Sequence, residues 1–598
     1  MAASNTQIGD VVTCTVKIGG NAIPDGVDLL SVRIEKRVNR ISTAKITILD
    51  GEASTGLFAA SSSQTFIPGA EVSIEAGYDS TNKLMFKGII TGQSIKIDQF
   101  VGSVLEVECR DVAIKMIVGR KSLTFSKKAD SDIISSIIGN YSGLSADVTS
   151  TTTIWPEQVQ FYVTDWDFIL ARAEMNGLIV TTLNGKVSVF KPDADVTSVY
   201  TVQYGTNLIS FNADLNAVSQ LSSVKASTWD YKNQVVSSAE TSNSYAGPGN
   251  LSSSTLAGVI GLSDYQLQTS APLLNDDLTN WSKAQLIKSG YSKIQGEVKF
   301  QGSNEVDPGK YITLQGLGDR FNGDHLISGV VHDLSGGNWT TEVSVGLPNT
   351  WFIEEPDVMS PPASGILPPA RGLFNGTVKQ MYNDPDSEFR ILVNVPLFDQ
   401  NGEGIWARMS NFYSTSGAGI FFLPEVGDEV VLGFLNEDPR YPIILGSMYS
   451  GSKMKPFTSL APKDQNPIKA IVSKSGISVQ FDDENKVLTI LTPGNNTMVF
   501  SDKENQILVK DSNGNSLTMS KNGIDIKSAS NLNITAAQNI SIAGNQGVTM
   551  KSSGGDIGIS GINIKETATS QYSAEGSMTA QINSGTQLTL KSAMIMIN

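Results

Sequence analysis

Thiols and imidazoles are scarce in this chain. Its 598 residues include two cysteines and two histidines. Cys14 and Cys109 lie far apart in strand-like runs. They could pair, but two buried free thiols suit a chain made in a reducing cytosol better. His325 and His332 have no cysteine or clustered carboxylates beside them, so both read as ordinary strand residues and no metal or other cofactor is expected. The net charge is −15, which argues against a nucleic-acid-binding surface. No apolar window is long enough for a helical membrane span. Met1 to Val12 lacks the basic and apolar regions of a secretory signal, so synthesis in the cytoplasm without a signal peptide is expected. Helix signals are scarce as well.

What the chain has is Thr, Ser, Val, Ile and Gly in abundance, over a length that calls for several domains of mainly β class. The most regular stretch runs from Ile524 to Met550. Ile524, Leu532, Ile540 and Val548 recur every eight residues. Ile526, Ile534, Ile542 and Met550 repeat at the same interval, two positions later. An offset of two is one face of a strand. Two inward aliphatics, a polar bend, then two more is a solenoid code; ordinary hairpins would match it only by chance. One octad cannot close a coil, so three must surround each layer of core. They come from three chains wound together, or from one chain making a three-sided coil. A single-chain solenoid needs capped ends. The run Met594-Ile595-Met596-Ile597-Asn598 offers no cap, which favours three chains.

In chain order, residues 1–115 read as a β-barrel. Val12–Val16, Lys45–Ile48, Val72–Glu75 and Val104–Glu108 alternate, with turns at Gly19-Gly20-Asn21, Pro24-Asp25-Gly26 and Pro68-Gly69. Residues 116–195 form a small α+β insertion. One helix carries Ile133, Ile134, Ile137 and Ile138 and stops at Gly139-Asn140. A second carries Trp166, Ile169, Leu170 and Ala173 and closes at Asn176-Gly177. Asp165 and Asp167 flank Trp166; one capping the helix and both favouring its positive end is a better account than a metal site. Residues 196–353 return to strands as a second barrel, with Thr241 to Ser270 a long polar loop or decorated surface. A proline-rich linker spans 354–371 and should be extended and semi-rigid. Residues 372–450 suit a closed five-stranded barrel, and 451–475 a polar linker. From 476 to 598 comes the solenoid region, which opens with less evenly spaced pairs: Ile477/Val479, Leu488/Ile490, Met498/Phe500, Ile507/Val509 and Leu517/Met519. Asp511, Asn513 and Asn515 mimic a calcium loop, but Ser516 and Asn522 occupy positions that need Gly and Glu, so a tight turn is expected.

Phe421, Phe422, Pro424, Gly427 and Asp428, followed by Asp438, Pro439, Pro442 and Gly446, resemble the barrel of VgrG proteins, the spikes of type VI secretion systems. They are equally similar to needle proteins of contractile phage tails and extracellular contractile injection systems. Thr164–Phe168 leading to Glu174–Gly177, and Arg320–Gly323 with Trp339-Thr340-Thr341, resemble the hub of the same family. The likeness covers nearly the whole chain in family order. It implies a mainly β fold: two hub β-barrels with a small α+β insertion, an OB-fold barrel, and a C-terminal triple-stranded β-helix needle formed by a trimer. It also implies a homotrimer beneath a hexameric inner tube, baseplate proteins around the hub, and a PAAR-type tip protein docked on Met594 to Asn598. The target membrane would be punctured transiently, with the particle delivered outside the cell or into a target cell.

Residues 450–475 are too short for the hydrolase some relatives insert. No toxin domain is expected after Asn598, and no His follows His332 to build a metal tip, so the chain is not expected to be an enzyme. Two other functions remain open at this point: a receptor- or glycan-binding tail protein working through the barrel, and a solenoid polysaccharide-degrading enzyme, for which the octads offer almost no acid/base groups.

Overall fold

A computed structural model describes residues 11–597, apart from 25, 101, 231, 356–357 and 458–462. Asp25 of the expected turn Pro24-Asp25-Gly26, Pro356 and Pro462 of the linkers, and Asn598 of the expected docking end lie outside the described residues. The chain divides into two compact units, Met1–Met448 and Tyr449–Asn598.

In the first unit, the alternating runs of residues 1–115 become antiparallel strands Val12–Ile18, Leu29–Arg37, Thr43–Leu49, Glu71–Tyr78, Thr81–Asp98 and Gly102–Arg110. Their inward set, Ile34, Ile46, Ile74, Phe86, Leu105 and Val107, is fully buried. The strands of residues 196–353 form a second core around Val298, Phe300, Ile312, Leu314, Val330 and Val343. The two halves are not separate sheets. Gly323–Ser335 pairs with Leu29–Arg37 from Gly329↔Arg37 to Ser335↔Ser31, so one 13-stranded sheet runs through both. Leu334 and Trp339 of the second half join the first core. Pairing covers edges that two open half-sheets would expose.

The insertion forms as its helical stripes require. Helix α1, Asp130–Gly139, buries Ile133, Ile134, Ile137 and Ile138. Helix α2, Asp165–Met175, buries Trp166, Ile169, Leu170 and Ala173. Thr164, not an aspartate, caps α2: its hydroxyl accepts from the Asp167 backbone N–H at 3.1 Å. Asp165 instead lies buried among Lys121, Tyr141 and Gln160, at 2.6–2.8 Å. Burial pushes its carboxyl up, but those hydrogen bonds outweigh burial and hold it below the usual range.

The segment expected as a polar loop at 241–270 is structured. It contains helix α3, Ser253–Ile260, capped by Ser252, and the strand Tyr265–Thr269. Helix α4, Asn275–Tyr291, follows. Sequence pattern misses α4 because its buried face is largely small or polar, with Ser282, Gln285, Ser289 and Gly290 beside Leu278 and Leu286. Cys14 is half-buried rather than buried, and Cys109 is buried; both are free. His325 and His332 sit on one strand and are both buried.

The connector after the hub is strapped down. Buried Glu174 pairs with Lys288 and accepts from the Phe352 N–H at 2.7 Å. The Lys288 ammonium lies 5.3 Å from the centre of the Trp351 ring. At the far end, the Ala370 N–H reaches the Glu437 carbonyl at 2.8 Å. Strands Phe374–Gln380, Ile391–Asn394, Ile405–Met409, Glu429–Phe434 and Pro442–Ser447 then form the closed barrel, filled by Val378, Ile391, Val393, Val430, Leu432 and Ile444.

Candidate assembly surface

The second unit contains a seven-stranded meander. Ile468–Val472, Ser478–Asp482, Val487–Leu491, Thr497–Ser501, Gln506–Lys510, Ser516–Ser520 and Gly523–Lys527 pair each with the next, all antiparallel. The first strand falls inside the stretch expected as linker, where its short Ile-Lys-Ala-Ile-Val run is masked by nearby prolines. Asn and Asp fix the turns. Asp511 accepts from the backbone N–H groups of Asn513 and Asn515, both at 2.9 Å, which is the tight turn anticipated there.

The register lines up the uneven pairs, except that Ile477 precedes the strand Ser478–Asp482 and Phe481 takes its place beside Val479. Val479 faces Ile490, and Ile490 faces Met498. Met498 faces Val509, Val509 faces Leu517, and Leu517 faces Ile526. Phe481, Leu488, Phe500, Ile507, Met519 and Ile524 make the parallel row. Because side chains alternate along a strand, both rows share one face. Among the described residues nothing covers that face fully: Phe481 is 45 % exposed, Phe500 41 % and Met519 39 %. The opposite face is mostly polar, with Gln480, Thr489, Gln506, Lys510 and Thr518.

From Ser528 to Ile597 no strand is bonded within the chain among the described residues, yet the path is regular. Besides bends at 553–555, 562 and 593, two-residue bends fall at 529–530, 537–538, 545–546, 569–570, 577–578 and 585–586, in steps of eight or multiples of eight. Each follows a small residue in the same phase: Ser528, Ala536, Gly544, Ala568, Gly576 and Ser584. At Ser528 and Ser584 the hydroxyl donates to the carbonyl three residues on, Asn531 at 3.0 Å and Gln587 at 2.7 Å. A Cβ at Gly544 would sit 2.4 Å from the Gly547 carbonyl oxygen, so that corner needs glycine. These corners are a second octad signal, one the aliphatic pattern alone did not reveal. The aliphatics between them are largely exposed in the lone chain: Ile526 60 %, Ile534 64 %, Ile542 64 %, Met550 63 %, with Ile524, Leu532, Ile540 and Val548 similar. Met594, Ile595, Met596 and Ile597 are exposed too.

The barrel motif does structural work at its turns. Phe421 and Phe422 are exposed and Pro424 is buried. Gly427 adopts φ +94°, and the neighbouring Asp428 carboxylate accepts from the Glu425 N–H at 2.8 Å. Asp438 receives the Arg440 guanidinium at 2.7 and 3.0 Å, which holds its carboxyl below the usual range. Pro439 follows in the same turn, Pro442 opens the last barrel strand and Gly446 lies within it. No group of three or more His, Cys, Asp or Glu is placed to hold a metal among the described residues.

Two family models match stretches of the chain. Residues 8–336 match the family described as the Alg8 N-terminal domain. Residues 374–449 match the type VI secretion system/phage-baseplate injector OB domain. The type VI secretion system spike protein VgrG1b of Pseudomonas aeruginosa is 27 % identical over 20 % of this chain and 17 % of its own length. The actin cross-linking toxin VgrG1 of Vibrio cholerae is 33 % identical over 12 % of this chain and 7 % of its own. This chain thus spans about a sixth or less of these two curated relatives. Among solved structures, the E. coli c3393 protein, described as a type VI secretion component with similarity to T4 tail proteins gp27 and gp5, has a TM-score of 0.38 at 13 % identity, covering 72 % of this chain and 99 % of that one.

Proposed function

From a chain that belongs, over residues 8–336, to the family of the Alg8 N-terminal domain and is VgrG-like in sequence and layout, we propose the trimeric spike of a contractile injection system. Its hub couples to a hexameric inner tube and is surrounded by baseplate proteins. Its C-terminal region is a membrane-piercing needle that carries a PAAR-type tip protein on the apolar side chains of Met594 to Ile597. The role is mechanical and needs no catalysis.

One observation carries this reading. From Ser528 to Ile597 the chain bends at multiples of eight residues with no strand pairing of its own among the described residues, and its octad aliphatics stay more than half exposed. A single-chain coil would stack its own octads, whereas three wound chains bury the same side chains on a common axis. Burying each is worth about 1.5–3 kcal/mol, repeated at every octad of every chain. The apolar face of residues 468–527 has the same need for cover. A ladder shared by three chains also leaves few free edges, which suits a rod under load.

The test is the molar mass of the purified full chain by multi-angle light scattering. A trimer, three times the 63.8 kDa chain, is expected. Each chain carries −15, so added salt should leave assembly intact or aid it by screening. A monodisperse monomer overturns the trimer and the needle together.

A further inference from the structure

A cleft of about 830 Å³ opens in the hub where the sheet, helix α2 and the start of the connector meet, a size typical of ligand-binding clefts. Four guanidiniums line it, in a chain whose net charge is −15: Arg37, Arg40, Arg110 and Arg120. Three are committed. Arg37 Nε donates to Glu35 at 2.5 Å. Arg40 lies 3.4 Å from both Glu355 oxygens. Arg120 donates to the carbonyls of Tyr162 and Met359, each at 3.1 Å. Arg110, the last residue of strand Gly102–Arg110, is half-buried and makes no side-chain hydrogen bond or ion pair with another described residue. Ile41, Ile114 and Ile117 line the same cleft.

Arginine keeps its charge at any ordinary pH and presents a rigid fork matched to a carboxylate. A half-buried, unpaired fork has paid part of its desolvation cost with no partner in return. We propose that this cleft binds an acidic segment of a partner protein, with one carboxylate on Arg110 and flanking apolar side chains against the isoleucines. A nucleic acid or other polyphosphate fits less well, because Glu35, Asp167 and Glu355 also line the cleft and would repel dense negative charge. The site stands on the hub's own geometry and does not depend on the trimer.

The probe is a fluorescein-labelled peptide alternating leucine and glutamate, titrated against the full chain by fluorescence anisotropy. Its glutamine counterpart and heparin serve as comparisons. The glutamate peptide should bind, its glutamine counterpart should bind about tenfold more weakly, and Arg110→Gln should weaken the glutamate peptide by a similar factor. Arg110→Lys, which keeps the charge but loses the fork, should fall between them. It carries the test if Arg110→Gln melts early. No binding by the glutamate peptide, equal binding by the glutamine peptide, an affinity unchanged in Arg110→Lys and Arg110→Gln, or stronger binding by heparin would each overturn the proposal.

Discussion

The ammonium of Lys36 lies 2.7 Å from the carboxylate of Asp307, 271 residues away in the chain. Lys36 is on the strand that seams the two halves of the hub, and its side chain is only 6 % exposed. With burial as the larger cause, the Lys36 charge also helps hold His332 well below its ordinary titration range. The pair is therefore an electrostatic pin through the seam. Replacing Asp307 with Asn leaves a buried ammonium without its counter-charge. Asp307 itself is partly exposed, so the loss should be about 2–3 kcal/mol, short of the cost of breaking a fully buried pair. Denaturant unfolding followed by tryptophan fluorescence reads it. A stability unchanged within about 0.5 kcal/mol would show that water substitutes freely for the aspartate.

The needle register predicts the effect of one charge. Ile534→Asp would place three carboxylates around the proposed common axis, each carrying a desolvation cost of several kcal/mol. The trimer should fail to assemble or fray at that layer, seen as loss of detergent resistance and of the trimer mass. The same substitution at Thr535, on the outward side of the octad, should be tolerated. Equal behaviour of the two variants would refute the register.

Lys293 predicts a pH dependence in the hub. Its buried ammonium donates to the carbonyls of Ala246, Pro248 and Leu251 at 2.6–2.9 Å, and burial lowers it from 10.5 to about 8. Between those values the unfolded chain holds a proton that the folded chain has lost, so stability rises with pH. The gain should be about 1 kcal/mol from pH 8 to 9. From about pH 8 the thiols of half-buried Cys14 and buried Cys109 act the other way. Cys14 is raised to about 11 and Cys109 to about 12, so they ionise first when unfolded, and stability falls. Because the thiols offset much of that gain, the measure is the difference between variants: over pH 8 to 9 the wild-type hub should gain about 1 kcal/mol relative to Lys293→Met. An identical slope in both would assign the dependence to another group.

If Met594 to Ile597 dock a tip protein, removing residues 594–598 should abolish its co-purification with the trimer while leaving the trimer mass unchanged. Retention of the tip protein at full stoichiometry would move the docking face elsewhere.

The sequence by itself determined the elements whose periodicity repeats. The alternating runs of residues 12–110, the isoleucine stripe of α1, the turn-rich barrel and the octads all announce themselves, because each must present apolar groups to one side at a fixed interval. Tertiary structure decided what has no local period. The seam of Gly329 to Ser335 on Ser31 to Arg37 joins strands hundreds of residues apart, and no window of sequence contains both. Helix α4 folds against the strands Ser223–Asp230 and Val235–Ser242 with a face of serines and a glutamine, so packing outweighs its weak pattern. Thr164 takes the capping role expected of an aspartate, while Lys121 and Tyr141, brought in from other elements, hold the Asp165 carboxylate. The small corner residues Ser528, Gly544 and Ser584 are visible in the sequence, but only the bends that follow them show that they are the corners of the octads.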